Sequence, residues 1–111
     1  MRQLVAEWCN VAMCDISAAG MAETHRLCET AGLPQGLRLN THVSDAVRVE
    51  RFRDEVANRH NSDQIHLLFN NAGIGGGGSM MAHTRWEWER TFNICWGGVY
   101  NCTRAFLPML W

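Results

Sequence analysis

Residues 67–73 read Leu-Leu-Phe-Asn-Asn-Ala-Gly, residue types that suit a buried strand ending against a flat ligand. Leu67, Leu68 and Phe69 supply the apolar run of such a strand. Ala72 and Gly73 are small enough for a planar cofactor to approach the backbone, and the carboxamides of Asn70 and Asn71 can bridge neighbouring strands. A second group sits at Asp15, which closes the apolar run 9–15. An acid at the carboxyl end of a strand, with Ile16 beside it, can accept both ribose hydroxyls of an adenosine. Its charge would repel the extra phosphate of NADP and favour NAD. Asp15 is equally suited to cap a helix beginning near Ala18. The third group is His42-Val43-Ser44, at the end of residues 37–43. There, backbone groups and a polar side chain can touch an adenine edge, or form a solvated turn with a helix cap.

Other patterns look chemical and carry less. Residues 73–78, Gly-Ile-Gly-Gly-Gly-Gly, match G-x-G-x-x-G literally. That fingerprint needs its last glycine at the opening of a helix and an acid at the end of the next strand, whereas here the expected helix starts later and contains Glu87 and Glu89. Tyr100 and Arg104 place a phenol and a cation one helical turn apart, well inside a helix and away from any strand end. His25, His42, His60, His66 and His83 form no close pair on one helical face, so no metal site is expected. All 10 positive charges are Arg. Without Lys, neither a Walker-type phosphate loop nor a Schiff-base nucleophile can be built.

The elements that must position these groups follow from periodicity. Residues 2–7 read as the last turns of a helix, and residues 9–15 as a buried parallel strand. From Ala18 to Ala31, Met21, Ala22, Leu27 and Cys28 fall at helical spacing, with Gly32, Pro34 and Gly36 as the stop. Residues 37–43 alternate like a strand, and Ser44 or Asp45 then caps a helix with Val49, Phe52 and Val56 on one face. Residues 65–69 make a third strand, and Thr84 caps a long final helix to about Leu107. This alternation predicts a parallel sheet with helices on its faces.

Composition sets the outer bounds. A chain of 111 residues, 47% hydrophobic, has room for one modest core. A net charge of -1 without runs of like charge gives no support to a nucleic-acid or membrane-surface role. Cys9, Cys14, Cys28, Cys95 and Cys102 are odd in number and lack a Cys-x-x-Cys pair, which suits reduced thiols in a cytoplasmic protein. Glu7 interrupts the apolar residues at the start before an export signal forms, and Arg104 with Pro108 argues against a membrane span in residues 92–111. Trp86, Trp88, Trp96 and Trp111 read as packing or interface residues.

Together these residues resemble the short-chain dehydrogenase/reductase family, from about Arg2 to the last residue. Asn70-Asn71-Ala72-Gly73 is similar to that family's Asn-Asn-Ala-Gly motif, and Asp15 resembles the acid that selects NAD. His42-Val43-Ser44-Asp45 resembles its Asp-Val-Ser segment beside adenine, with His in place of Asp. Cys95 stands three residues before Gly98-Val99, where the family carries the Asn of a proton relay, while a shift of two residues would bring Asn93 there; no catalytic residue is assigned in this chain.

The resemblance implies that residues 1–111 are a partial NAD(P)-binding Rossmann-like domain, part of a doubly wound parallel α/β sheet. Three strands and their helices are expected, without the first strand and its glycine-rich loop and without the carboxyl-terminal strands with their Ser and Tyr-x-x-x-Lys. The first strand would lie between those ending at Asp15 and Phe69, leaving a gap in the sheet. Cofactor-binding positions are then Asp15, Ile16, His42, Val43, Asn71, Ala72 and Gly73, with NAD preferred. The parent is expected to be an NAD-dependent oxidoreductase of a small alcohol or ketone, and this chain a truncated piece unable to catalyse alone. The alternative is a non-catalytic interaction module, because the final helix resembles the family's dimer-forming element and can pair two copies.

Overall fold

The computed structural model describes residues 1–30, 36–76 and 78–110. Helix α1 (Arg2–Ala6) buries Val5 and is left through Trp8, whose φ of 64° turns the chain sharply toward the first strand. Strand β1 (Ala12–Asp15) pairs in parallel with β2 (Leu37–Asn40), in a register running from Ala12 opposite Leu37 to Asp15 opposite Asn40. Helix α2 (Ala18–Glu29) connects them, as the alternation of patterns predicts. Its inward residues are Met21 and Cys28, while Ala22 is exposed. Gly32 and Pro34, the expected stop, lie outside the described residues.

Helix α3 (Ala46–His60) begins where Asp45 Oδ1 accepts the Arg48 N–H at 3.2 Å and ends at Asn61 in the left-handed conformation. Val49, Phe52 and Val56, at helical spacing, are buried against the carboxyl-terminal helix; Phe52 meets Phe106 edge to face with ring centroids 5.7 Å apart.

The third expected strand does not form. Among the described residues, 65–69 pair only at Ile65, which makes a parallel bridge to Leu110 and donates its N–H to the Met109 carbonyl at 2.8 Å. A ladder needs a neighbouring strand, and among the described residues none lies beside this run. It is laid instead over the helical core, where Ile65 and Leu68 are half-buried. Leu67 and Phe69 are left 62% and 66% exposed, so the run is not the buried strand that its composition suggests. The sheet among the described residues therefore has two strands.

The final helix is also divided. Thr84 and Glu87 form a reciprocal capping box that starts α4 (Arg85–Cys95), and α5 (Gly97–Phe106) follows after a break at Trp96. Gly97 and Gly98 are the weakest helix formers in this stretch and sit at the joint. Hydrogen bonds from Trp96 N–H to Phe92 O and from Tyr100 N–H to Trp96 O keep the halves in line. Leu107–Met109 closes the chain as a 3-10 turn containing Pro108.

The radius of gyration is 15.5 Å, against about 13 Å for a compact domain of this length. The chain is a slab of 50 × 31 × 19 Å with its main core between α3, α5 and one face of the sheet. No helix among the described residues is long and apolar enough to cross a membrane.

Candidate functional site

Asp15 is exposed at the carboxyl end of β1, and its Oδ1 accepts the Ser17 N–H at 2.8 Å. It does not cap α2. Ser17 does, its hydroxyl accepting the Gly20 N–H at 3.1 Å. Asn40, opposite Asp15 in the sheet, donates from Nδ2 to the Ile16 carbonyl at 2.9 Å, which pins the loop carrying Asp15 and Ile16. The Thr41 N–H donates to the Asp15 carbonyl at 3.1 Å and carries the chain on to His42, so the first two predicted groups share one strand end.

His42 Nδ1 and Ser44 Oγ are hydrogen-bonded at 2.7 Å. Between them Val43 turns inward: it is 8% exposed, packs against Gly98, and its carbonyl accepts Asn101 Nδ2 at 3.0 Å. What this segment leaves toward solvent is the half-buried His42 and Ser44.

The other predicted group is mounted from the opposite side of the same helix. Asn70 Nδ2 donates to Thr103 Oγ1 at 3.1 Å, and Asn71, Ala72 and Gly73 are exposed. Immediately after them, the Ile74 N–H donates to Cys95 Sγ at 3.5 Å while the Cys95 thiol donates to the Ile74 carbonyl at 3.4 Å. Helix α5 thus joins the segment after β2 to the turn that follows residues 65–69, holding Val43 through Asn101 and Asn70 through Thr103. Beyond Cys95 an open apolar groove of about 460 Å³ runs between the glycine-rich loop and α4, walled by Trp88, Phe92 and Trp96.

Sequence reasoning missed Ser17, Asn40, Asn101 and Thr103. Asn101 and Thr103 carry a faint signal, as polar side chains in a helix whose neighbours Cys102, Ala105 and Phe106 are buried. The glycine run behaves as expected: a turn at residues 80–82 separates Gly78 from the first residue of α4, so its last glycine opens no helix. Tyr100 and Arg104 are exposed on α5. No group of three or more His, Cys, Asp or Glu that could hold a metal occurs among the described residues.

Burial raises the Cys14 thiol to about 11, with Cys102 and Asp15 adding to the effect, and burial also raises Cys102. Both stay protonated at neutral pH and serve packing. The chemistry offered at the strand ends is recognition: a carboxylate, amides, carbonyls and small side chains around exposed backbone.

The short chain dehydrogenase family profile matches residues 1–111. The chain belongs to that family. It is 37% identical over 82 residues to meso-2,3-butanediol dehydrogenase of Serratia marcescens, an alignment covering 72% of this chain and 32% of that enzyme. It superposes on a short-chain dehydrogenase/reductase from Burkholderia phymatum, solved in complex with NAD, with a TM-score of 0.84 and 28% identity, covering 91% of this chain and 35% of that one. An alcohol dehydrogenase from the archaeon Thermococcus sibiricus, complexed with 5-hydroxy-NADP, shares the fold with a TM-score of 0.87 and 23% identity, covering 97% of this chain and 45% of that one.

The fold is thus part of a Rossmann-like short-chain dehydrogenase domain, in a family of oxidoreductases that act on small molecules and use NAD(P). The chain spans about a third of the length of the curated relatives that it matches first.

Proposed function

We propose that this chain forms the adenosine-facing and nicotinamide-facing edge of an NAD-dependent oxidoreductase of small alcohols or ketones. The observation that carries this reading is Asp15, an exposed carboxylate held at the end of β1 by Ser17, with Ile16 pinned beside it by Asn40. Its position and charge suit two ribose hydroxyls and oppose a phosphate on the same ring. Ile16, His42 and Val43 border the same end, and Asn71, Ala72 and Gly73 offer the small exposed surface for the nicotinamide half. The cofactor, when bound, supplies the hydride chemistry; these residues bind and orient it.

Cys95 stands where the resembled relay carries Asn, unless a two-residue shift brings Asn93 there, and the role assigned to these residues is to bind the cofactor rather than to transfer the proton. A reducing, cytoplasmic setting suits the five free cysteines. Titration of the purified chain with NAD and NADP, followed by ligand-observed NMR, tests the reading. NAD should bind more tightly, and Asp15→Asn should narrow the difference; tighter binding of NADP by the unaltered chain would refute it.

A second reading is self-association through α4 and α5. Trp88, Phe92, Trp96 and Tyr100 stack in sequence along one face, with centroids 5.1, 5.5 and 6.2 Å apart, and each is between 43% and 61% exposed. Such a ladder suits pairing with a second copy. Sedimentation equilibrium decides it: dimerisation that Trp96→Ser weakens supports the pairing, and a concentration-independent monomer mass removes it.

A further inference from the structure

The Thr41 N–H donates to the Asp15 carbonyl, so His42 stands one residue beyond the contact that joins the ends of β1 and β2. Its backbone is fixed on both sides. The Asp45 N–H donates to the His42 carbonyl at 2.9 Å, and Asn101 Nδ2 donates to the Val43 carbonyl at 3.0 Å. The ring is fixed as well, because His42 Nδ1 and Ser44 Oγ are hydrogen-bonded at 2.7 Å. The other ring nitrogen, Nε2, has no hydrogen-bond partner among the described residues and is not buried. It is the free polar atom of this ring.

We infer that His42, set by Ser44, selects the dinucleotide by its base and favours a 6-oxopurine over adenine. The Ser44 hydroxyl has no other hydrogen-bond partner among the described residues, so its proton goes to the Nδ1 lone pair. A neutral imidazole carries a single N–H, and with Nδ1 accepting, that N–H is on Nε2 and points outward as a donor. A carboxylate at the same place could only accept. Adenine pairs the N7 acceptor with an exocyclic amine that donates, whereas a 6-oxopurine offers acceptors at both N7 and O6. A donor held in one direction gains a partner from either atom of the oxo edge and meets a second donor at the amine of adenine. Ser44 acts through the ring, as a positioning residue. The inference rests on the cofactor reading, in which Asp15 takes the ribose and the attached base lies along the same strand ends.

Titration of the whole chain at pH 8 with NAD and with nicotinamide hypoxanthine dinucleotide, which differ only in that amine and carbonyl, tests the selection. The hypoxanthine dinucleotide should bind about fivefold more tightly, the worth of one hydrogen bond gained. His42→Asp, which only accepts, should reverse the preference, and Ser44→Ala, which frees the ring to change tautomer, should narrow it. Nitrogen-15 NMR of the free chain reads the tautomer without any ligand: the proton should sit on Nε2, and a proton on Nδ1 overturns the inference. Tighter binding of NAD by the unaltered chain, or a preference that His42→Asp does not move, overturns it and leaves the cofactor reading standing. Binding of neither dinucleotide removes both.

Discussion

Val43 and Gly98 are fitted to each other: a Cβ placed on Gly98 would lie 2.6 Å from Val43 Cγ2 and 3.2 Å from Val43 Cβ. The segment after β2 can therefore rest on α5 only while residue 98 is glycine, and the Asn101 bond to the Val43 carbonyl locks the same contact. Gly98→Ala should destabilise the chain by about 1–3 kcal/mol through overpacking. Val43→Ala in that background should recover part of the loss, because it removes the methyl groups that collide. Urea unfolding of both single variants and the double variant checks the coupling, and strict additivity would show that the two residues do not meet.

The α4 capping box makes a pH prediction. Hydrogen bonds from the Thr84 backbone N–H and then from its hydroxyl lower the Glu87 carboxyl below its ordinary value of 4.5. A folded-state value below the unfolded one gives stability that is complete above 4.5 and is lost as pH falls through the lowered folded value. Thr84→Ala should cost about 1 kcal/mol at neutral pH, as for other helix caps, and Glu87→Gln should flatten the acid limb of the stability curve. Thermal melts from pH 7 to pH 2 measure both effects, and an acid limb unchanged in Glu87→Gln would contradict the assignment.

Trp8 is 77% exposed and holds a φ of 64°, a conformation that costs most side chains about 1–2 kcal/mol. Its indole buries little in return. Trp8→Gly should leave the chain as stable or raise its stability by about 1 kcal/mol. A clear drop in melting temperature would mean that the Trp8 side chain makes stabilising contacts after all.

The cysteines should separate by reactivity. Cys14, raised to about 11, and the buried Cys28 and Cys102 should resist alkylation at pH 8, whereas the exposed Cys95 should label readily. Peptide mass spectrometry after brief iodoacetamide treatment reads this out. Labelling of Cys14 as fast as Cys95 in the folded chain would show that the core between β1 and α5 opens freely.

Much of this molecule was written into its local patterns. Val49, Phe52 and Val56 at helical spacing, Thr84 as a cap, and strand character in the runs 9–15 and 37–43 all follow from side-chain period and capping chemistry, which act over a few residues; the structure ends the second strand at Asn40 and chooses Asp45 over Ser44 as the cap of α3. The Asn-Asn-Ala-Gly turn and Asp15 were likewise legible as the residues to question. Tertiary structure decided what they lean on. Leu67 and Phe69 have the composition of a buried strand yet stand exposed, because burial and strand pairing depend on a neighbour that no local pattern supplies. Only packing shows that Ser17 rather than Asp15 caps α2, that Val43 turns toward Gly98, and that Cys95 and Thr103 bond to Ile74 and Asn70, since each of these contacts is made by groups that the fold alone brings within hydrogen-bonding or van der Waals reach.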